Sequence, residues 1–145
     1  TRLIGGKTDI VMMLNGALAG LVAITAEPLT PGPITAMIIG SIGAVIMYYG
    51  TKLLENFGLD DVVGAIPVHM FAGIFGTLVV PLTNADTSFG TQLIGVISVC
   101  VFSFVLSWIT FSTLKSTVGL RISRAAEKQG TDKAEVGVIA YSIRD

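Results

Sequence analysis

The sequence predicts an all-α fold, a polytopic helical membrane protein, and three observations predict it. Hydrophobic residues make up 52% of the 145 and charged residues only 13%, against about 25% charged in an ordinary soluble domain, and the mean hydropathy is +0.78. Four apolar runs approach the length of a bilayer crossing. All nine lysines and arginines fall where four crossings would bring them to one side. A net charge of −1 with no basic stripe excludes a nucleic-acid partner. Cys100 stands alone, without a disulfide mate or a metal-ligand companion, and reads as a small apolar helix residue. No metal or other cofactor is implied. The chain opens on Thr1 with no leader pattern before its first apolar run, so it is expected to be a segment of something longer.

The first predicted span is 10–26, with Gly16 and Gly20 at the four-residue spacing that lets two helix backbones approach in lipid. Glu27 to Pro33 carries three prolines and a glycine, which end one helix and set Pro33 at the start of the next. The second span, 34–55, has a stripe of Ala36, Gly40 and Ala44, with Tyr48 and Tyr49 at the interface end. The third is 62–82, followed by the polar loop 83–90. The fourth, 91–114, is dense in Val, Ile and Phe; its Ser98, Ser103 and Ser107 are expected to bond back to helix carbonyls, and Trp108 and Phe111 mark its approach to the second interface. From Lys115 the character changes to mixed charge, so residues 117–145 read as a solvated tail.

Orientation follows from the basic residues. Arg2 and Lys7 precede the first span, Lys52 lies between the second and third, and six stand in the tail, whereas the loops 27–33 and 83–90 hold none. The ends and the Asp60–Asp61 junction are therefore expected in the cytoplasm and the two loops outside.

The stretch Asp60 to Gly76, DDVVGAIPVHMFAGIFG, holds the only histidine, His69, inside an apolar run. On an ideal helix it shares a face with Ala65, Ile66, Ala72, Gly73 and Gly76. Four of these are small, so the face is expected to point His69 into a bundle interior. Ionisable groups at such depth mark pathways or proton relays by default, the alternative being a packing histidine satisfied by a neighbouring helix. Imidazole suits a dry site because it donates and accepts while neutral. Pro67 has no amide to give the Val63 carbonyl, which leaves a polar backbone group near the same depth. Asp60 is expected to cap the third helix, with Asp61 beside it, eight residues from His69 on roughly the same side.

These residues carry a resemblance. DDVVGAIPVH, the preceding NGALAGLVAIT at Asn15–Thr25 and the following GIFGTL resemble the ammonium transporter (Amt/Rh) family, and VGLRIS at Val118–Ser123 and GTDKAEVGVIAY at Gly130–Tyr141 resemble its last helix end and cytoplasmic C-terminal region. The match runs in order along essentially the whole chain. It implies an ammonium-transporter-like helical bundle of which this chain is the last four of eleven spans. It further implies a homotrimer whose subunits each hold a narrow hydrophobic pore with two stacked histidines. His69 matches the second of these; the first belongs to an earlier helix. By the same resemblance Asp61 is the acidic residue opening the helix that carries His69, Ala65 a pore-lining position one turn below His69, and Thr25 the hydroxyl at the outer end of the first span. Met70 departs from the family's glycine, Ala26-Glu27-Pro28 from its small residues and cysteine, and Val136 and Val138 from a histidine and an acidic residue in the tail.

The implied activity is transport of ammonium or ammonia across the cell membrane, with the lipid bilayer as surroundings and a PII-type regulatory protein as a possible partner at the cytoplasmic tail. Taking an ion into a low-dielectric pore carries an idealised penalty on the order of 20 kcal/mol, so ammonium is expected to shed its proton at a vestibule and cross as ammonia. An electroneutral gas channel of the Rh kind and an ammonium sensor signalling through the tail remain open readings. An enzyme is not expected, since the sequence has one histidine, no HExxH and no nucleophile elbow.

Overall fold

In a computed structural model the chain is described over residues 8–139, and helices, turns and loops account for all of them, with no strand. Expectations resting on Arg2, Lys7, Tyr141, Arg144 and Asp145 lie outside the described residues. Two compact units divide after Val99, within the fourth long helix.

In the first unit, α1 spans Ile10–Ile24 and α2 spans Pro33–Asn56. The Asp9 carboxylate starts α1 by accepting the Met12 amide at 3.0 Å. Pro33 starts α2 as expected, because its missing amide proton falls where the helix has no acceptor for one. The third helix, α3, is a continuous run, Ile66–Leu82. It opens as a π-helical turn, Ile66–Phe71, continues as α-helix over Ala72–Val79 and closes as a 3-10 turn, Val80–Leu82.

The small-residue stripes are where α1 and α2 meet. A Cβ on Gly20 would lie 3.1 Å from the Gly40 carbonyl oxygen, and one on Gly43 would lie 2.7 Å from the Ala23 methyl. Gly16 faces Ala44 and Met47. As the number rises along α1 its partner's number falls along α2, so the two form an antiparallel hairpin in backbone-to-backbone contact. Helix association in lipid gains little from the hydrophobic effect, and close packing of this kind supplies the attraction instead.

α3 runs alongside α1 in the same direction. Asn15 meets Gly64, Val22 meets Gly73, and a Cβ on Gly76 would fall inside the Ala23 carbonyl. On the other side Gly50 of α2 receives the Phe71 ring and Pro67. The centre of the three helices is Ala19, Met47, Val68 and Ala72, all almost fully buried, with Met12 and Val22 against them.

α4, Phe89–Thr117, has no buried residue. Its apolar side chains stand outward, Phe104 at 72% and Trp108 at 64% exposure. A core helix of a soluble protein would bury such residues; these surfaces suit acyl chains or further protein. α2 and α4 are long and apolar enough to cross a membrane, whereas α1 and α3 are shorter. Ser98, Ser103 and Ser107 make no back-bond among the described residues; Thr113, Ser116 and Thr117, further along the same helix, do.

In the second unit α4 ends where the Val118 and Gly119 amides both turn back to the Leu114 carbonyl, with Gly119 at φ 84°. A short helix α5, Arg124–Gln129, comes next, capped by the Ser123 hydroxyl on the Ala126 amide and braced by an Arg121–Glu127 ion pair at 2.9 Å. The π-helical turn Asp132–Val136 then closes on Gly137. Gly130 and Gly137, on either side of that turn, both have positive φ.

Candidate functional site

The start of α3 is built by Asp61 rather than Asp60. One Asp61 carboxylate oxygen accepts the Ala65 amide at 2.9 Å and the other accepts the Ile66 amide at 2.8 Å, while Asp60 is exposed and makes no hydrogen bond among the described residues. The expectation that Asp60 caps the helix is thus corrected. The helix also begins at Ile66 instead of Val62, because Asp61 to Gly64 folds into a turn that Gly64 closes at φ 75°, a conformation favouring glycine. The Val68 amide then reaches back to the Gly64 carbonyl at 3.1 Å. Every amide at this helix start is accounted for: Ala65 and Ile66 by Asp61, Pro67 by having none, Val68 by Gly64.

Pro67 leaves the Val63 carbonyl without its helical donor, and the structure shows what takes it. The side-chain amide of Asn15, on α1, donates to it at 2.9 Å. Asn15 is the residue that sequence reasoning missed. The signal was there to be read, since it is the one strongly polar side chain within α1, and such residues in membrane helices usually face a partner.

His69 stands within the π-helical turn, with its side chain exposed on this chain. The expected face is corrected here. The buried side of α3 runs through Val68, Ala72, Gly76 and Val80, so Ala72 and Gly76 pack on α1 and are not companions of the histidine. The π turn adds residues per turn, and an ideal α-helical projection drawn through it loses phase. His69 is thereby presented away from the α1–α2–α3 packing, next to Met70, itself 48% exposed. Ala65 is exposed too, joined to Asp61 by its amide.

Thr25 is not gathered with these residues. It ends α1, and its hydroxyl donates to the Val22 carbonyl at 2.7 Å. Its neighbour Ala23 packs on Gly76, seven residues beyond His69 and so roughly 10 Å further along α3. Near that end the loops after α1 and α3 are clasped. Asn84 donates to Glu27 at 2.8 Å, while the other Glu27 oxygen accepts the Leu29 and Thr30 amides. The Asn84 amide and the Leu29 amide hold the Glu27 carboxyl below the usual carboxylate range.

Among the described residues no cluster of histidine, cysteine and carboxylates is arranged to hold a metal. A shallow groove on α4, lined by Phe104, Trp108, Phe111 and Lys115 among others, includes none of the predicted site residues. What the turn offers is one imidazole on an apolar helix, able to donate or accept a hydrogen bond, held by a backbone whose polar groups are satisfied from two directions.

Comparison with known proteins bears on the whole stretch. A family model described as the Ammonium Transporter Family matches residues 1–141. Ammonium transporter Amt2 of Archaeoglobus fulgidus is 39% identical over 97% of this chain and 34% of its own length. Ammonium transporter Amt2 of Methanocaldococcus jannaschii is 34% identical over 96% of this chain and 35% of its own. The ammonium transporter of Corynebacterium glutamicum is 31% identical over 98% and 35%. The chain spans about a third of the length of these relatives.

Proposed function

Since the chain belongs to the ammonium transporter family, we propose that it supplies part of the path by which ammonium or ammonia crosses the cell membrane, with His69 on the wall of that path. The observation that supports this most is the placement of His69: the chain's one imidazole sits on a π-helical turn, turned away from the packed face of its own helix. π turns inside helices recur at functional sites. An imidazole facing acyl chains would be costly, so that side of α3 faces protein or a cavity, completed by the rest of the transporter.

In this reading ammonium leaves its proton at a vestibule, and neutral ammonia passes an apolar constriction, where the His69 ring offers a hydrogen bond without a fixed charge. The first histidine of the pair belongs to an earlier helix, supplied by the rest of the transporter. Ala65 lines the same side one turn earlier. Asp61 acts through the backbone, since both of its oxygens are taken by Ala65 and Ile66. Thr25 stands toward the outer mouth. The wider assembly we propose is four crossings near 10–26, 34–55, 62–82 and 91–114, a homotrimer, and a cytoplasmic tail at 117–145 on which a PII-type protein acts.

The test replaces His69 by alanine in the full-length transporter and measures ammonium current and methylammonium uptake per molecule in the membrane. Loss of one hydrogen bond to the permeating species predicts about a tenfold fall in ammonium conduction or a comparable change in selectivity. Transport unchanged in both rate and selectivity would overturn the reading.

A further inference from the structure

We propose that Asn15 is a positioning residue for His69: from α1 it fixes the register of the π-helical turn and so the direction in which the imidazole is presented. This rests on the reading of His69 given above. The Asn15 amide reaches the Val63 carbonyl at 2.9 Å, the group that Pro67, four residues on, cannot serve. Gly64 admits it, for a Cβ there would stand 2.6 Å from the Asn15 nitrogen. The backbone at 63–64 is thus pinned by α1, and the backbone at 65–66 by the Asp61 carboxylate.

Between these two anchors and the packed residues Val68 and Ala72 the chain has no slack, and the π register is what fits. Val63 stands at an exposed turn, so the Asn15 bond is what ties its carbonyl to α1. Without Asn15 the turn is no longer held from that side and is free to rewind. Shifting a helix by one residue rotates every later side chain by roughly 100° about the axis, enough to move His69 off the side on which it stands. Asn15 touches neither substrate nor imidazole in this account; it acts through the backbone.

The experiment uses the full-length transporter with Asn15→Leu, Asn15→Asp, Asn15→Gln, His69→Ala and the double variant Asn15→Leu/His69→Ala. The readout is the ratio of ammonium to methylammonium transport, a per-molecule property that does not depend on how much protein folds. Asn15→Leu and Asn15→Asp, which lack the donor, are expected to shift the ratio in the direction of His69→Ala by about threefold or more, with Asn15→Gln, which keeps an amide, closer to wild type. The double variant is expected to match His69→Ala alone, since the two changes act on one event. If Asn15→Leu fails to accumulate, Asn15→Asp, nearly equal in volume, carries the comparison. A wild-type ratio in the donor-less variants, or additive shifts in the double, overturns the proposal while leaving His69 in place. An unchanged ratio and rate in His69→Ala overturns the pore reading and the role of Asn15 with it.

Discussion

Replacing Asp61 by alanine removes both acceptors that start α3, the oxygens on the Ala65 and Ile66 amides. Charge-assisted caps of this kind contribute about 1–3 kcal/mol, so Asp61→Ala should lower the thermal midpoint of the purified transporter, and Asp61→Asn, which keeps one oxygen, should lower it less. Asp60→Ala should leave it unmoved, and that contrast separates the two neighbours. Glu27 gives a pH dependence with a definite sign. Its carboxyl is held below its ordinary range in the folded protein, so the clasp with Asn84 stabilises above that range and is lost as the pH falls through the lowered value. Acid should therefore loosen the two loops, seen as increased proteolysis there, and Asn84→Ala should weaken the pH dependence, leaving the part that the Leu29 and Thr30 amides supply. At this scale the sequence was legible where chemistry is local: the histidine, the orphaned Val63 carbonyl and a capping aspartate all stood out. Which aspartate caps depended on the Gly64 turn, and who serves Val63 depended on a helix 48 residues away, and neither can be read from local pattern.

For the helices, close approach is the controlling quantity, and glycines on α3 test it. A Cβ on Gly73 would meet Val22 at 3.6 Å, an ordinary contact, whereas one on Gly76 would fall inside the Ala23 carbonyl. Gly73→Ala should therefore be neutral or stabilising, since alanine favours a helix over glycine by about 1 kcal/mol. Gly76→Ala must push α1 and α3 apart and should destabilise by about 1–3 kcal/mol; thermal denaturation of the two variants, side by side, measures the difference. The stripes of α1 and α2 were readable because small residues four apart have one main use in a membrane helix. The phase of α3 was not, because the wider turn at Ile66–Phe71 resets the count that a 3.6-residue projection relies on. Ala72 and Gly76 leave the face drawn around His69 for that reason, whereas Ala65 and Ile66 stand exposed as His69 does.

For the molecule as a whole the open variable is the number of crossings. α1 has 15 residues and spans roughly 22 Å, short of a hydrocarbon core about 30 Å thick. α3 begins four residues later than its hydropathy suggests. Short helices still cross when their loops enter the headgroup layer or the bilayer thins around them, and the clasp of Glu27 on Asn84 ties the corresponding ends of α1 and α3 together. The basic residues argue the same way, since the loops at 27–33 and 83–90 contain none of the nine. In a full-length protein with Cys100 replaced by alanine, single cysteines at the exposed positions Thr30, Asp86, Asp60 and Lys128 decide it. A membrane-impermeant maleimide should label Thr30→Cys and Asp86→Cys on intact cells, and Asp60→Cys and Lys128→Cys only after permeabilisation. The reverse pattern would invert the topology. Labelling of Thr30→Cys from outside with Asp86→Cys protected would mean that α3 does not cross, and His69 would then sit on a re-entrant segment instead of a transmembrane one.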